Sequence, residues 1–223
     1  MLHRHLGAAD LGSDEAAAGA MLPDLVRMAG ARLRPDAIAD PGSAIGRGVA
    51  HHLELDRWFH RDPPFHEAER RAARSLADAL PGVRKVTPFG HPLWEMCLDG
   101  ALVLAEGHAP TLRSLGRALA HVRAWSRDEG PSAALGATTR ARLEGICDAL
   151  EEGPWVAAYT QGAGLAYCVE RMRARLGLGP LDAAALARMT PPCAALLDEA
   201  RGALPGLLAR APRASSSSAA LSP

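Results

Sequence analysis

The sequence predicts an all-α protein, a single-domain helical bundle of about seven to nine helices. Three observations carry this. Ala, Leu and Arg dominate the chain, and all three rank high in helix propensity. Aromatic residues are only 4 %, and the β-branched types that suit strands are scarce. Gly and Pro punctuate a series of blocks whose apolar residues recur at helical spacing. A chain of 223 residues, 48 % hydrophobic, is long enough to bury one substantial core. The domain is expected over residues 1–211. The Ser-rich end, 212–223, has little to bury and is expected to be disordered.

The blocks follow in order. Residues 13–33 open with Ser13 as a helix cap and acids in the first turn, and Pro23 should kink or restart the helix. Residues 41–60 hold the next apolar spacing. Residues 63–80 begin with two prolines, suited to a helix start. Residues 91–107 place Pro92 at the first helical position, and 109–128 are strongly amphipathic. Then come 138–153, 154–177, a short 181–189, and 190–210 with Thr190 as cap and Pro191 in the first turn. No repeat of fixed period occurs. The small residues of "YTQGAGLAY" (159–167) would let helices pack closely, and Trp58, Trp94, Trp125 and Trp155 read as core or groove wall.

Composition excludes several function classes. With 25 basic and 25 acidic residues the net charge is zero, so no global field draws nucleic acid. The basic groups at 27–34, 69–74 and 171–175 read as solvated helix faces. Cys97, Cys147, Cys168 and Cys193 are widely spaced, which suits reduced, packed thiols better than a disulfide framework or zinc ribbon. No apolar run approaches the roughly 18 residues of a membrane span, and "MLHRHLGAADLG" lacks a signal peptide's apolar core. The expected compartment is the cytoplasm, with no membrane partner. Neither a phosphate-binding G-x-x-x-x-G-K-[ST] loop nor a G-x-S-x-G elbow is present.

The chemistry-bearing residues are concentrated. Gly48–Glu67 holds four of the nine histidines. His52, Asp56 and His60 are spaced i, i+4, i+8, and each step of four advances about 40° around a helix, so all three share one side. His91, Glu95 and Asp99 repeat the spacing on another predicted helix. Two helices thus each present a ladder of three metal-capable groups. Imidazole is a common nitrogen ligand, and carboxylates supply the hard oxygens that Mg²⁺ or Mn²⁺ prefer. Asp24, an acid among apolar residues in "AMLPDLVRM", is costly to bury without a partner or a metal. His5, His66 and Asp62 are further additions. Against this, a His/Asp pair at i, i+4 can simply hydrogen-bond, His91 can cap a helix, and Glu95 can face solvent.

At these residues the chain resembles the acyl carrier protein phosphodiesterase family, a divergent relative of the HD-domain phosphohydrolases. "GAMLPDLV" (19–26) is similar to the family's early Gly…Asp segment, and His5 to its early histidine. "GVAHHLELDRWFHRDP" (48–63) matches a family run at Gly48, His52, Asp56 and Pro63, and Glu95 and Asp99 look like two later acids. Three departures stand out. Leu53 replaces an arginine, His60 and Asp62 exchange ligand types, and Gly100 stands where the family has histidine. The resemblance spans roughly residues 1–125.

It implies an all-α, HD-domain-like, metal-dependent phosphodiesterase of lipid biosynthesis that releases 4′-phosphopantetheine from acyl carrier protein. Mn²⁺ is the first choice of ion, with Mg²⁺ or Fe as alternatives. Asp24, His52, Asp56, Glu95 and Asp99 would be the metal residues, and His60 and His91 ligands or general acids. Arg groups at 27–34 and 69–74 would dock the acidic carrier protein. The alternative expectation is a noncatalytic helical scaffold that keeps the fold without the metal chemistry. A di-metal redox protein is disfavoured, because no Glu-x-x-His pair is present.

Overall fold

The computed structural model describes residues 11–31, 40–128, 135–152 and 154–213. His5, residues 32–34 of the first basic group, and the tail from 214 lie outside them. Among the described residues the protein is all-helical, with nine α-helices, one 3₁₀ turn and no strand. The helices are α1 (Asp14–Met28), α2 (Ala44–Phe59), α3 (Pro63–Ala79), α4 (Gly90–Glu106) and α5 (His108–Arg127). They continue with α6 (Ala137–Glu152), α7 (Trp155–Ala158), α8 (Gly162–Arg175) and α9 (Ala183–Arg210). None of the described helices is long and apolar enough to cross a membrane.

Local signals account for most boundaries. Ser13 and Ser43 cap α1 and α2 by accepting from the backbone N–H groups of Ala16 and Gly46, at 3.1 and 2.9 Å. Asp62 precedes the Pro63–Pro64 start of α3. The 3₁₀ turn Thr87–Phe89 runs directly into α4, so His91 lies inside its first turn and is not a cap.

Expectations about boundaries are corrected in three places. Pro23 does not restart α1, which runs unbroken from Asp14 to Met28. The block 154–177 divides, because Gln161 is extended between α7 and α8 (φ −140°, ψ 138°). The blocks 181–189 and 190–210 join as α9, capped by Asp182 and passing through Pro191 and Pro192. A proline inside a helix costs about 3 kcal/mol or more. Here Met189, Cys193, Leu196 and Leu197 are all buried on the same helix, and their burial at about 25 cal/mol per Å² offsets that cost. In the third basic group Arg171 and Arg175 are exposed as expected, and only Arg173 departs. Arg173 is 3 % exposed and donates to the carbonyls of Arg84 and Leu178, so it holds loops to α8 and does not face solvent.

Two apolar clusters form the interior. One joins α3, α4, α8 and α9 with Leu55 and Phe59 of α2. The other joins α1, α5 and α6 with Val49 of α2 and Val103 of α4. α2 and α4 therefore belong to both. α4 is buried along Leu93, Trp94, Met96, Cys97, Leu98, Ala101 and Leu102, and before its terminal Glu106 its polar positions are His91, Glu95 and Asp99.

Close backbone approaches fix these helices. A Cβ on Gly48 would stand 2.1 Å from the Ala16 carbonyl oxygen, and one on Gly19 would stand 2.1 Å from that of Ile45. α1 and α2 thus touch backbone to backbone. A Cβ on Gly100 would stand 2.0 Å from the Tyr159 carbonyl oxygen, which seats α4 against the end of α7. Position 100 has no room for a larger side chain unless α4 and the end of α7 move apart. Gly100→Ala is expected to destabilise the fold by about 1–3 kcal/mol or more through overpacking, read as a lower denaturation midpoint. An unchanged midpoint would show that α4 and α7 can separate freely.

Candidate functional site

The two ladders predicted from spacing lie on adjoining parts of the fold, and α1 and α3 add to them. His52 is buried at 4 % exposure. Its Nδ1–H donates to the Ala20 carbonyl of α1 at 2.9 Å, since a carbonyl can only accept. In the neutral ring Nε2 then carries the lone pair, and it faces Asp24 Oδ1 at 4.0 Å. One helical turn on, Asp56 Oδ1 lies 3.5 Å from His60 Nε2. The His60 ring stacks on that of His91, with centroids 5.2 Å apart and planes at 5°. His91 Nε2 lies 3.3 Å from Glu95 Oε1, and His91 Nδ1 lies 3.6 Å from Glu69 Oε2 on α3. Glu69 Oε2 is also 3.2 Å from His66 Nδ1. The result is a seam of histidines and carboxylates drawn from α1, α2, α3 and α4.

The seam's electrostatics follow from this crowding. Asp24 is held above the ordinary carboxylate value. Desolvation contributes most, His52 opposes it, and the charges of Glu95 and Asp56 add to it. The expectation that Asp24 is buried is corrected, because its side chain is 57 % exposed. His91 is raised above its ordinary value, chiefly by its hydrogen bond to Glu95, with burial opposing and Glu69 assisting.

The remaining residues sort clearly. Asp99 is half-buried farther along α4 and acts on Tyr159, whose phenol is pushed up by burial and then by the Asp99 charge. It is not among the groups that act on Asp24. Asp62 is 8 % exposed and accepts from Arg210 Nη2 of α9 at 3.2 Å, so it clamps the last turn of α9. Leu53 packs against the second apolar cluster. Arg71 pairs with Glu199 and Glu67, whereas Arg27, Arg70 and Arg74 are exposed. Glu69 was not found from spacing, although His66 and Glu69 stand i, i+3 on α3, a separation that places two side chains on one helix face.

Cysteine nucleophiles do not compete for the chemistry. All four cysteines are free and buried, and burial pushes the Cys147 and Cys168 thiols up to about 11 and Cys193 to about 12. Among the described residues, no three His, Cys, Asp or Glu side chains are disposed as a ready metal shell. No family model, curated protein or solved structure compared with the chain matches it.

His91 is expected to titrate above the ordinary histidine value of about 6.5. A raised pKa means the charged ring stabilises the fold below the unfolded-state value, and this contribution is lost as pH rises through the folded-state value. Glu95→Gln should move the titration downward, followed by NMR of the histidine ring protons. An unmoved curve would remove Glu95 as the cause.

Proposed function

We propose that the seam is a metal-dependent phosphodiesterase site, the activity implied by the resemblance to acyl carrier protein phosphodiesterases. The observation that supports this most is the state of His52. Its Nδ1–H is committed to the Ala20 carbonyl, so its Nε2 lone pair is aimed at a carboxylate across 4.0 Å. A proton on Nε2 or a cation between the two groups reconciles them, and the phosphodiesterase reading takes the cation. A backbone acceptor behind the ring is how metal-bound imidazoles are oriented.

The donor set suits a divalent ion, with Mn²⁺ first and Mg²⁺ or Fe as alternatives. Asp24, His52 and Asp56 would hold it. Glu95 lies near enough to bias Asp24, and Asp99 is the outlying acid. A bound ion would acidify a water and offset phosphoryl charge. His60, half-exposed and oriented by Asp56, would donate a proton to the leaving oxygen. His91, stacked behind it, would hold the His60 ring in place. Exposed Arg27, Arg70 and Arg74 would meet an acidic carrier protein or another phosphodiester substrate.

One observation favours the noncatalytic scaffold instead. His60, His66 and His91 each face a carboxylate within 3.6 Å, and among the described residues no three His, Cys, Asp or Glu side chains are disposed to hold one ion. The readings part on hydrolysis. With Mn²⁺, purified protein should cleave a model phosphodiester and holo-acyl carrier protein, and chelator should abolish both. His52→Ala and Asp56→Ala should each lower kcat/KM by at least about 10- to 100-fold. Hydrolysis that survives both substitutions and chelation would sink the proposal. Absence of hydrolysis and of bound Mn²⁺ in the wild type would leave the scaffold.

A further inference from the structure

The side of α2 turned away from the seam carries a cleft of its own. At about 100° per residue, Glu54, Arg57 and Trp58 share roughly a 100° arc of α2, and His52 and Asp56 fall on the opposite side. The Arg61 N–H donates to the Trp58 carbonyl at 2.9 Å, which folds the turn after α2 back beside Trp58. The contact of Asp62 with Arg210 then brings the end of α9 to the same place. Glu54, Arg57, Trp58, Arg61 and Pro212 together line a cleft of about 400 Å³. Sites for small ligands occupy about 300–1,000 Å³.

The polar groups of this cleft are left for a ligand. Arg57 Nε donates to the Leu53 carbonyl at 2.9 Å, which steadies the guanidinium, and its Nη groups make no bond among the described residues. The side chains of Arg61 and Glu54 make no hydrogen bond or ion pair among the described residues. The Trp58 indole N–H meets no acceptor among them either. Arg57 and Arg61 stand four apart, a spacing at which like charges repel. An anion shared by the two removes that repulsion.

We infer that this cleft is a binding site for a small nucleotide, a phosphate joined through a sugar to a flat heterocycle. Two guanidinium groups supply the paired N–H donors that match phosphate oxygens. Trp58 is half-buried, packed on the first apolar cluster and tilted against Phe59 at 5.1 Å between centroids, so its ring is a steady wall. Bases stack on such aromatic rings whatever their sequence. Glu54 can only accept, and it suits a ribose hydroxyl or an exocyclic amine. Beside a bare inorganic anion the same carboxylate would repel. The cleft shares no side chain with Asp24, His52 and Asp56, so it does not depend on hydrolysis there.

The full chain, held in chelator so that no metal joins the seam, is titrated with AMP by calorimetry. One AMP should bind with saturation, and more weakly as salt is raised. Trp58→Ala and the double variant Arg57→Gln/Arg61→Gln should each weaken it by at least about 10-fold. Both arginines are exposed, so the double variant should keep the wild-type denaturation midpoint. On the wild-type protein, adenosine and ribose 5-phosphate should each bind at least about 10-fold more weakly than AMP, since one lacks the phosphate and the other the ring. Three results would overturn the inference. They are no saturable AMP binding, binding unmoved by the double arginine variant, and ribose 5-phosphate or inorganic phosphate binding as tightly as AMP. The last would leave a plain anion contact with no part for Trp58.

Discussion

The backbone contact between α1 and α2 is the constraint on which the seam depends. Gly19 and Gly48 let the two helices meet with no side chain between them. That approach brings the Ala20 carbonyl within 2.9 Å of His52, which stands one turn after Gly48. The same hydrogen bond fixes the His52 tautomer and turns its other nitrogen toward Asp24. A methyl group at either glycine would separate the helices before it altered any polar residue. The ring's orientation is thus a property of the packing, although the chemistry belongs to the ring.

α4 has the complementary role. It takes part in both apolar clusters, and it carries the ladder His91, Glu95, Asp99. The backbone contact of Gly100 with Tyr159 seats it on α7. His91 and Glu95 reach the ladder of α2 and the start of α3. Asp99, farther along, adds its charge to the surroundings of Tyr159, as Glu95 does more weakly.

The helical class and most helix positions were legible in the sequence, since composition, capping serines and proline placement are local signals. The i, i+4, i+8 ladders were legible for the same reason, and the pairs His60/Asp56 and His91/Glu95 form along them. Properties set by tertiary contact were not legible. Asp24 lies among apolar residues in sequence, yet its side chain projects to solvent beside α2. Arg173 looks like one cation of a solvated row but satisfies two loop carbonyls from a buried position. Pro191 and Pro192 read as a helix start, and the core contacts of Met189 and Cys193 carry α9 through them. Glu69 escaped because its partners His91 and His66 come from two helices, and only the packing of α3 on α4 unites them.

The clamp between Asp62 and Arg210 bears on the order in which the protein can be built. Asp62 sits in the turn that joins α2 to α3, next to His60 and four residues before His66. Its partner is 148 residues away, in the final turn of α9. During synthesis the first helices can collapse on one another while the rest of the chain is still being added. The buried Asp62 carboxylate must wait for Arg210 before its charge is met. The His60–His66 corner is therefore locked late, when α9 closes over helices made long before it.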